Sequence, residues 1–168
     1  RDPLFLRFVR LRRLPDERTL SRGLKSLTAP YCNQLNELHR AVAYQTCEEI
    51  SLARATIEFD GTVLRSSECV DGAERGFSPH HPKDPSYYPL TAHLAQTGQL
   101  LGVWNRPGNV HDSVGAAEHL AALLADERRR LGSIPLEVRL DGAFFHEAVL
   151  GVLTASRVEY AVKVPMWK

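Results

Sequence analysis

The spacing of apolar residues changes once along this chain, from a helical period to an alternating one. From Asp16 onward Leu20, Leu24 and Leu27 fall on one helical face, and Pro15-Asp16-Glu17 supplies the proline and acids of a helix start. Thr28-Ala29-Pro30 is expected to end that helix. A second is expected from about Asn33 to Arg54, with Leu35, Leu38, Val42, Ile50 and Ala53 on a rough stripe. Near Ala55 the period shortens to two: Thr56-Ile57-Glu58-Phe59-Asp60 alternates as a strand does, and Gly61-Thr62 turns into Val63-Leu64. Residues 66–89 are rich in Gly, Pro, Ser and His without an apolar period, which reads as a long loop.

Beyond the loop, Leu90–Ala95 and Leu100–Trp104 are strands joined by a hairpin turn at Thr97-Gly98. Arg106-Pro107-Gly108-Asn109 closes the second of them. Asp112 or Ser113 is expected to cap a helix that runs to about Leu131 and ends on Arg128-Arg129-Arg130. Leu136-Glu137-Val138-Arg139-Leu140 is a strand ending at Asp141, followed by a helix from about Phe145 to Ser156 and a strand over Val158–Val164. The order is strand, strand, strand, helix, strand, helix, strand, with the first three antiparallel neighbours. This predicts an α/β domain over 55–168 preceded by a helical region over 1–54.

The composition is that of an ordinary globular protein, 43% hydrophobic and 24% charged. No apolar run approaches the ~20 residues that span a bilayer, and no signal peptide is visible, so a cytoplasmic protein without membrane contact is expected. The chain opens Arg1-Asp2-Pro3 without an initiator Met, as a fragment or trimmed chain would. Cys32, Cys47 and Cys69 are odd in number and lack C-x-x-C spacing, which reads as three reduced thiols. Net charge is only +1, yet residues 1–30 carry eight basic side chains against three acidic ones. A basic arm on a near-neutral body suits a phosphate-bearing partner. Arg18, Arg22 and Lys25 lie near one face opposite the leucines, a candidate DNA-contacting surface that an ordinary amphipathic helix would equally present.

Two aspartates occupy matching positions: Asp60 after Ile57 and Phe59, Asp141 after Val138 and Leu140, each followed by Gly. Active sites of α/β sheets form outside the carboxyl ends of strands. On parallel neighbours the two carboxylates would meet over a gap suited to Mg²⁺ or Mn²⁺, which take hard oxygen ligands. Singly, either aspartate could simply end a strand and begin a turn. Lys83, Tyr87 and Tyr88 of the loop are candidate backbone contacts, while His80-His81 read as solvated. Arg106, Asn109 and His111 surround a turn before a helix N-terminus, a place suited to anions. Asp112 reads as an N-cap.

From Ile57 onward these motifs resemble the DDE transposases of bacterial insertion sequences. Phe59-Asp60-Gly61-Thr62-Val63 is similar to the family's first acidic motif, Pro85-Ser86-Tyr87-Tyr88-Pro89-Leu90 to its entry into the second strand, and Arg139-Leu140-Asp141-Gly142-Ala143-Phe144-Phe145 to its second acidic motif. Arg106-Pro107-Gly108-Asn109-Val110-His111-Asp112-Ser113 is the most specific match, and the resemblance covers about residues 14–168. It implies an RNase H-like fold and a Mg²⁺- or Mn²⁺-dependent phosphoryl-transfer site in which Asp60 and Asp141 are the first two catalytic carboxylates. It also implies terminal inverted repeats and target DNA as partners, a homodimer in the full-length protein, and a nucleoid-associated location in a bacterial cytoplasm. Glu58 stands where many relatives have Asp. The family's third carboxylate is a Glu far downstream, for which Glu147 and Glu159 come too early, so the chain as it stands is expected to be catalytically incomplete.

Two alternatives come from other classes. A non-catalytic DNA-binding remnant or domesticated transposase fragment would share the same motifs. The segment 59–63 also resembles the D-x-D-G-T loop of haloacid-dehalogenase-like phosphatases, but Glu58 stands at their nucleophile position, and a hairpin rather than a helical crossover is expected to follow.

Overall fold

The computed structural model describes residues 3–8, 10–67, 70–76 and 84–166. Chain contacts divide it into two compact units, Arg1–His39 and Arg40–Lys168. The first holds α1 (Pro3–Phe8), α2 (Glu17–Lys25) and the start of α3 (Ala29–Glu49). Asp16 caps α2, its carboxylate accepting the Thr19 N–H at 2.8 Å. No α2 residue is buried; Leu20 is 54% and Leu24 68% exposed.

The helix boundaries differ from expectation at both ends of α3. Pro30 does not terminate a helix but sits in the first turn of α3, where its missing N–H costs nothing. The helix stops at Glu49 rather than Arg54 because Ser51 turns left-handed (φ 49°) and the Leu52 N–H returns to the Cys47 carbonyl at 3.1 Å, a Schellman closure. The unit boundary falls inside this helix, ahead of 54, since Ala43 and Cys47 are buried in the core of the second unit.

In that unit β1 (Ala55–Gly61), β5 (Leu90–Leu94), β6 (Gln99–Trp104), β7 (Leu136–Leu140) and β8 (Glu159–Val162) form one sheet in the order β6-β5-β1-β7-β8. The pairs β1–β5 and β5–β6 are antiparallel; β1–β7 and β7–β8 are parallel. Three antiparallel strands followed by helix-linked parallel ones make the RNase H-like arrangement. The registers pair like with like. Ala55, Ile57 and Phe59 of β1 lie opposite Leu136, Val138 and Leu140 of β7, and Ile57 and Phe59 opposite Leu94 and Ala92 of β5. All eight are buried. The period-two pattern therefore puts one continuous apolar face against the buried residues of α4 (Ala116–Leu131) and α5 (Glu147–Ala155). Thr56, Glu58 and Asp60 fall on the opposite face.

The segment expected to be one long loop contains a second sheet among its described residues: β2 (Leu64–Arg65), β4 (Pro85–Tyr87) and β3 (Glu74–Arg75), in the order β2-β4-β3. Strands of two or three residues are too short to show a period. Lys83, His80, His81 and Cys69 lie outside the described residues. Cys32 is exposed and Cys47 buried, both as free thiols. Among the described residues no helix is long and apolar enough to cross a membrane.

A fully buried carboxylate ties α3 to α4. Glu127, 0% exposed, accepts from Arg40 Nη2 at 2.6 Å and from the Tyr44 hydroxyl at 2.8 Å, and Arg40 also pairs with Asp126. Burial drives the Glu127 carboxyl upward, while Tyr44 and Arg40 oppose the shift.

Candidate metal centre

Phe59 pairs with Leu140 in the parallel β1–β7 ladder, so Asp60 and Asp141 follow as the next residues of two adjacent strands at their carboxyl ends. Both line one open cleft of ≈ 590 Å³ on the polar face of the sheet, together with Glu58, Thr91, His93, Arg139 and Lys163. Buried rings anchor each aspartate's backbone. Phe59, one residue before Asp60, meets Phe144, three residues after Asp141, at 5.4 Å between centroids. The Thr91 hydroxyl donates to the Asp60 carbonyl at 3.3 Å.

Each carboxylate uses one oxygen on a local backbone N–H. Asp60 Oδ1 accepts from Gly61 at 2.8 Å, and Asp141 Oδ1 from Ala143 at 2.9 Å, which caps a 3-10 turn at Gly142–Phe144. Burial pushes the Asp60 carboxyl above its usual range; the Gly61 N–H pulls it back, and the charges of Asp141 and then Asp112 push it further up. Negative charge is thus concentrated at the strand ends with hard oxygen donors, the chemistry that Mg²⁺ and Mn²⁺ favour. Among the described residues no group of three His, Cys, Asp or Glu is placed to hold a metal ion.

The glycines after the two aspartates matter for space rather than for turn conformation, Gly61 much more than Gly142. A Cβ on Gly61 would lie 2.6 Å from Asp112 Oδ1 and 2.7 Å from the Tyr88 hydroxyl. On Gly142 it would lie 3.2 Å from the Lys163 carbonyl oxygen. Asp112 is therefore not the helix cap the sequence suggests: Gly115, left-handed at φ 73°, is the N-cap of α4 without a side-chain bond. Asp112 instead turns toward Gly61 and Tyr88, whose hydroxyl is held protonated by burial and then by this carboxylate.

Arg106 is 7% exposed and donates to four backbone carbonyls: Tyr88 through Nε at 3.0 Å, and His111, Asp112 and Val114 through Nη1 at 3.1, 3.3 and 2.7 Å. Its guanidinium also lies 5.3 Å from the centre of the Tyr88 ring. Arg106 thus ties the 106–115 loop to Tyr88, at a turn that the sequence reads as a place suited to anions. His111 is exposed, with Nδ1 3.0 Å from Ser113 Oγ. Arg18 and Arg22 line a shallow exposed depression on α2 with Glu17 and Ser21, and Lys25 is exposed at its end.

Thr91, His93, Arg139 and Lys163, which line the cleft beside the two aspartates, were not singled out from the sequence. The signal that would have found them is strand parity: counted in steps of two from the aspartates along the paired strands, all four reach the same face.

A family model described as transposase DDE domain group 1 matches residues 1–166. No curated protein sequence matches the chain. Among solved structures it is similar to the Mos1 transposase paired-end complex with left transposon end, at 14% identity and TM-score 0.46, covering 89% of this chain and 43% of that one. It is also similar to the catalytic domain of Mos1 mariner transposase (11%, TM-score 0.45, 92% and 63%) and to the piggyBac transposase synaptic complex with hairpin DNA (13%, TM-score 0.44, 68% and 24%). The chain spans less than two thirds of the length of each of these structures.

Proposed function

From a chain that belongs to the transposase DDE domain family, group 1, we infer a part in DNA transposition, with Asp60 and Asp141 as paired divalent-metal ligands for phosphoryl transfer on DNA. The observation that carries this reading is the placement of the two carboxylates one step beyond paired Phe59 and Leu140, on neighbouring parallel strands, over an open polar cleft. Mg²⁺ or Mn²⁺ bound there would polarise a phosphodiester and lower the pKa of the attacking water or 3′-hydroxyl. The chain's own residues hold the geometry. Phe59 and Phe144 fix the strand ends, Thr91 holds the Asp60 carbonyl, and the Gly61 and Ala143 N–H groups orient one oxygen of each carboxylate, leaving the other for a cation.

Transposon-end and target DNA are the partners we assign. Arg18, Arg22 and Lys25 form a basic edge on α2 and suit backbone phosphates, with His111 as an exposed contact of the second unit. Lys83 belongs to the same proposal on sequence grounds alone. The helical segment is read as the DNA-contacting part and the sheet as the catalytic core of a transposase that works as a homodimer.

Mn²⁺ titration followed by electron paramagnetic resonance tests the centre. The wild-type chain should bind Mn²⁺ weakly, and Asp60→Asn and Asp141→Asn should each abolish binding while leaving the circular dichroism spectrum unchanged. Retention of Mn²⁺ by the double variant would end the metal assignment. DNA binding that survives both substitutions, with no strand cleavage from a longer reading frame, would favour the non-catalytic alternative.

A further inference from the structure

The sheet register extends the carboxylate pair into a row of four. Thr91 pairs with Asp60 across β5–β1. Asp141 stands beside Asp60 one step beyond Phe59 and Leu140. Leu140 in turn pairs with Val162, so Lys163 stands beside Asp141 in the same way, its N–H donating to the Leu140 carbonyl at 3.1 Å. The row therefore reads Thr91, Asp60, Asp141, Lys163. One step back on the same face, Arg139 lies between Glu58 and Ala161. Lys163 and Arg139 are both exposed and both line the cleft that holds the two aspartates.

Their circumstances differ from those of the other arginines near the sheet. Arg54 is occupied by Glu159 and Glu137, and Arg106 is buried in carbonyls. Arg139 commits its Nε to Glu137 at 3.0 Å, and the Lys163 ammonium has no partner among the described residues. The close approach of Gly142 to the Lys163 carbonyl holds that backbone against the Asp141 turn. The exposed Lys163, on the cleft beside Asp141 and not paired with it, is open to a second anion.

We propose that Lys163, assisted by Arg139, binds a phosphodiester of the nucleic acid next to the Asp60–Asp141 pair. The proposal rests on the DNA-processing reading of this site. Two carboxylates repel an incoming phosphate; a flexible ammonium at the end of their row offsets that repulsion and draws the backbone across the cleft. Arg139, half-committed to Glu137, supplies a planar donor one step further in.

Binding of a short fluorescein-labelled single-stranded oligonucleotide in EDTA, measured across a salt series, tests this without metal. Lys163→Gln should weaken binding about threefold to tenfold at low salt and reduce the slope of log affinity against log salt by about 0.7, the loss of one phosphate contact. Lys163→Arg should restore both. In a separate Mn²⁺ titration, Lys163→Gln should tighten the metal, because it removes a positive charge next to Asp141. A merely structural lysine would weaken both ligands together, and that result, or an unchanged salt slope, would overturn the proposal. Failure of the metal assignment is read separately, from Mn²⁺ retention by the Asp60→Asn, Asp141→Asn double variant, and leaves the EDTA measurement standing.

Discussion

The ring of Phe144 meets the ring of Phe59 edge-on, at 5.4 Å between centroids and 70° between planes. Phe59 precedes Asp60 by one residue and Phe144 follows Asp141 by three, so this buried contact links the two carboxylates through the sheet. Phe59 also packs against Trp104, at 5.8 Å between centroids, and Trp104 stacks on His119 at 5.0 Å. Phe144→Leu keeps the site apolar but removes the edge-to-face contact. It should cost about 1–2 kcal/mol in urea unfolding and weaken Mn²⁺ binding, although no ligand has been altered. Unchanged Mn²⁺ affinity in a destabilised variant would show that the ring contact does not position the carboxylates.

Gly61 and Gly142 separate on steric grounds. Gly61→Ala drives a methyl into Asp112 and Tyr88 and should destabilise by about 1–3 kcal/mol. Gly142→Ala meets only the Lys163 carbonyl oxygen at 3.2 Å and the edge of Pro165, and should cost less than about 1 kcal/mol. Equal losses from the two would contradict the packing described at Gly61.

The Asp60 carboxyl is raised in the folded chain, by burial first and by Asp141 and Asp112 in addition. The stability this group contributes is complete below the unfolded Asp value of ~3.9 and is lost as pH rises through the higher folded value. At neutral pH without divalent ions, Asp60→Asn should therefore raise the melting temperature. The gain should be worth no more than about 1 kcal/mol, since solvent screens this half-exposed group. It should vanish near pH ~3.5. A neutral or negative effect at pH 7 would mean that the carboxylate is not under strain in the metal-free chain.

Glu127 is a fully buried carboxylate held by Arg40 and Tyr44. Arg40→Ala leaves its buried carboxylate without the guanidinium and should cost about 3–5 kcal/mol by chemical denaturation. Replacing the pair together, Arg40→Met with Glu127→Met, should recover most of that loss. If the double variant is as unstable as Arg40→Ala, the penalty arises from packing and not from an unpaired charge.

On α2, Arg18, Arg22 and Lys25 are proposed phosphate contacts. Changing all three to Gln should flatten the salt dependence of duplex binding by up to about 2–3 in slope, without altering helix content. A slope that stays at its wild-type value would remove α2 from the DNA interface.

Much of this architecture is legible in the chain because strands and long helices carry their period in the sequence. Alternation in 56–60 and 136–140 locates both aspartates at strand ends, and the Thr97-Gly98 turn is a true hairpin with Gly98 at φ 70°. Where the period is too short or the decisive partner is distant, the reading fails. The β2-β4-β3 sheet has too few residues per strand to announce itself. Asp112 has the side chain of an N-cap, yet it lies against Gly61 and Tyr88 while Gly115 caps the helix. Arg106 has the sequence context of an anion ligand, and three carbonyls of its own loop together with that of Tyr88 surround it.

The paired aspartates illustrate the division most clearly. Local propensity and flanking residues were enough to determine that Asp60 and Asp141 end strands, that each is followed by glycine, and to which family their motifs belong. Only the tertiary structure decided that β1 and β7 are parallel neighbours in a register that sets the two side by side, with Thr91 and Lys163 completing the row. Strand pairing is set by which apolar faces bury together across residues far apart in sequence, and a one-residue slip would have turned every one of these polar side chains into the core.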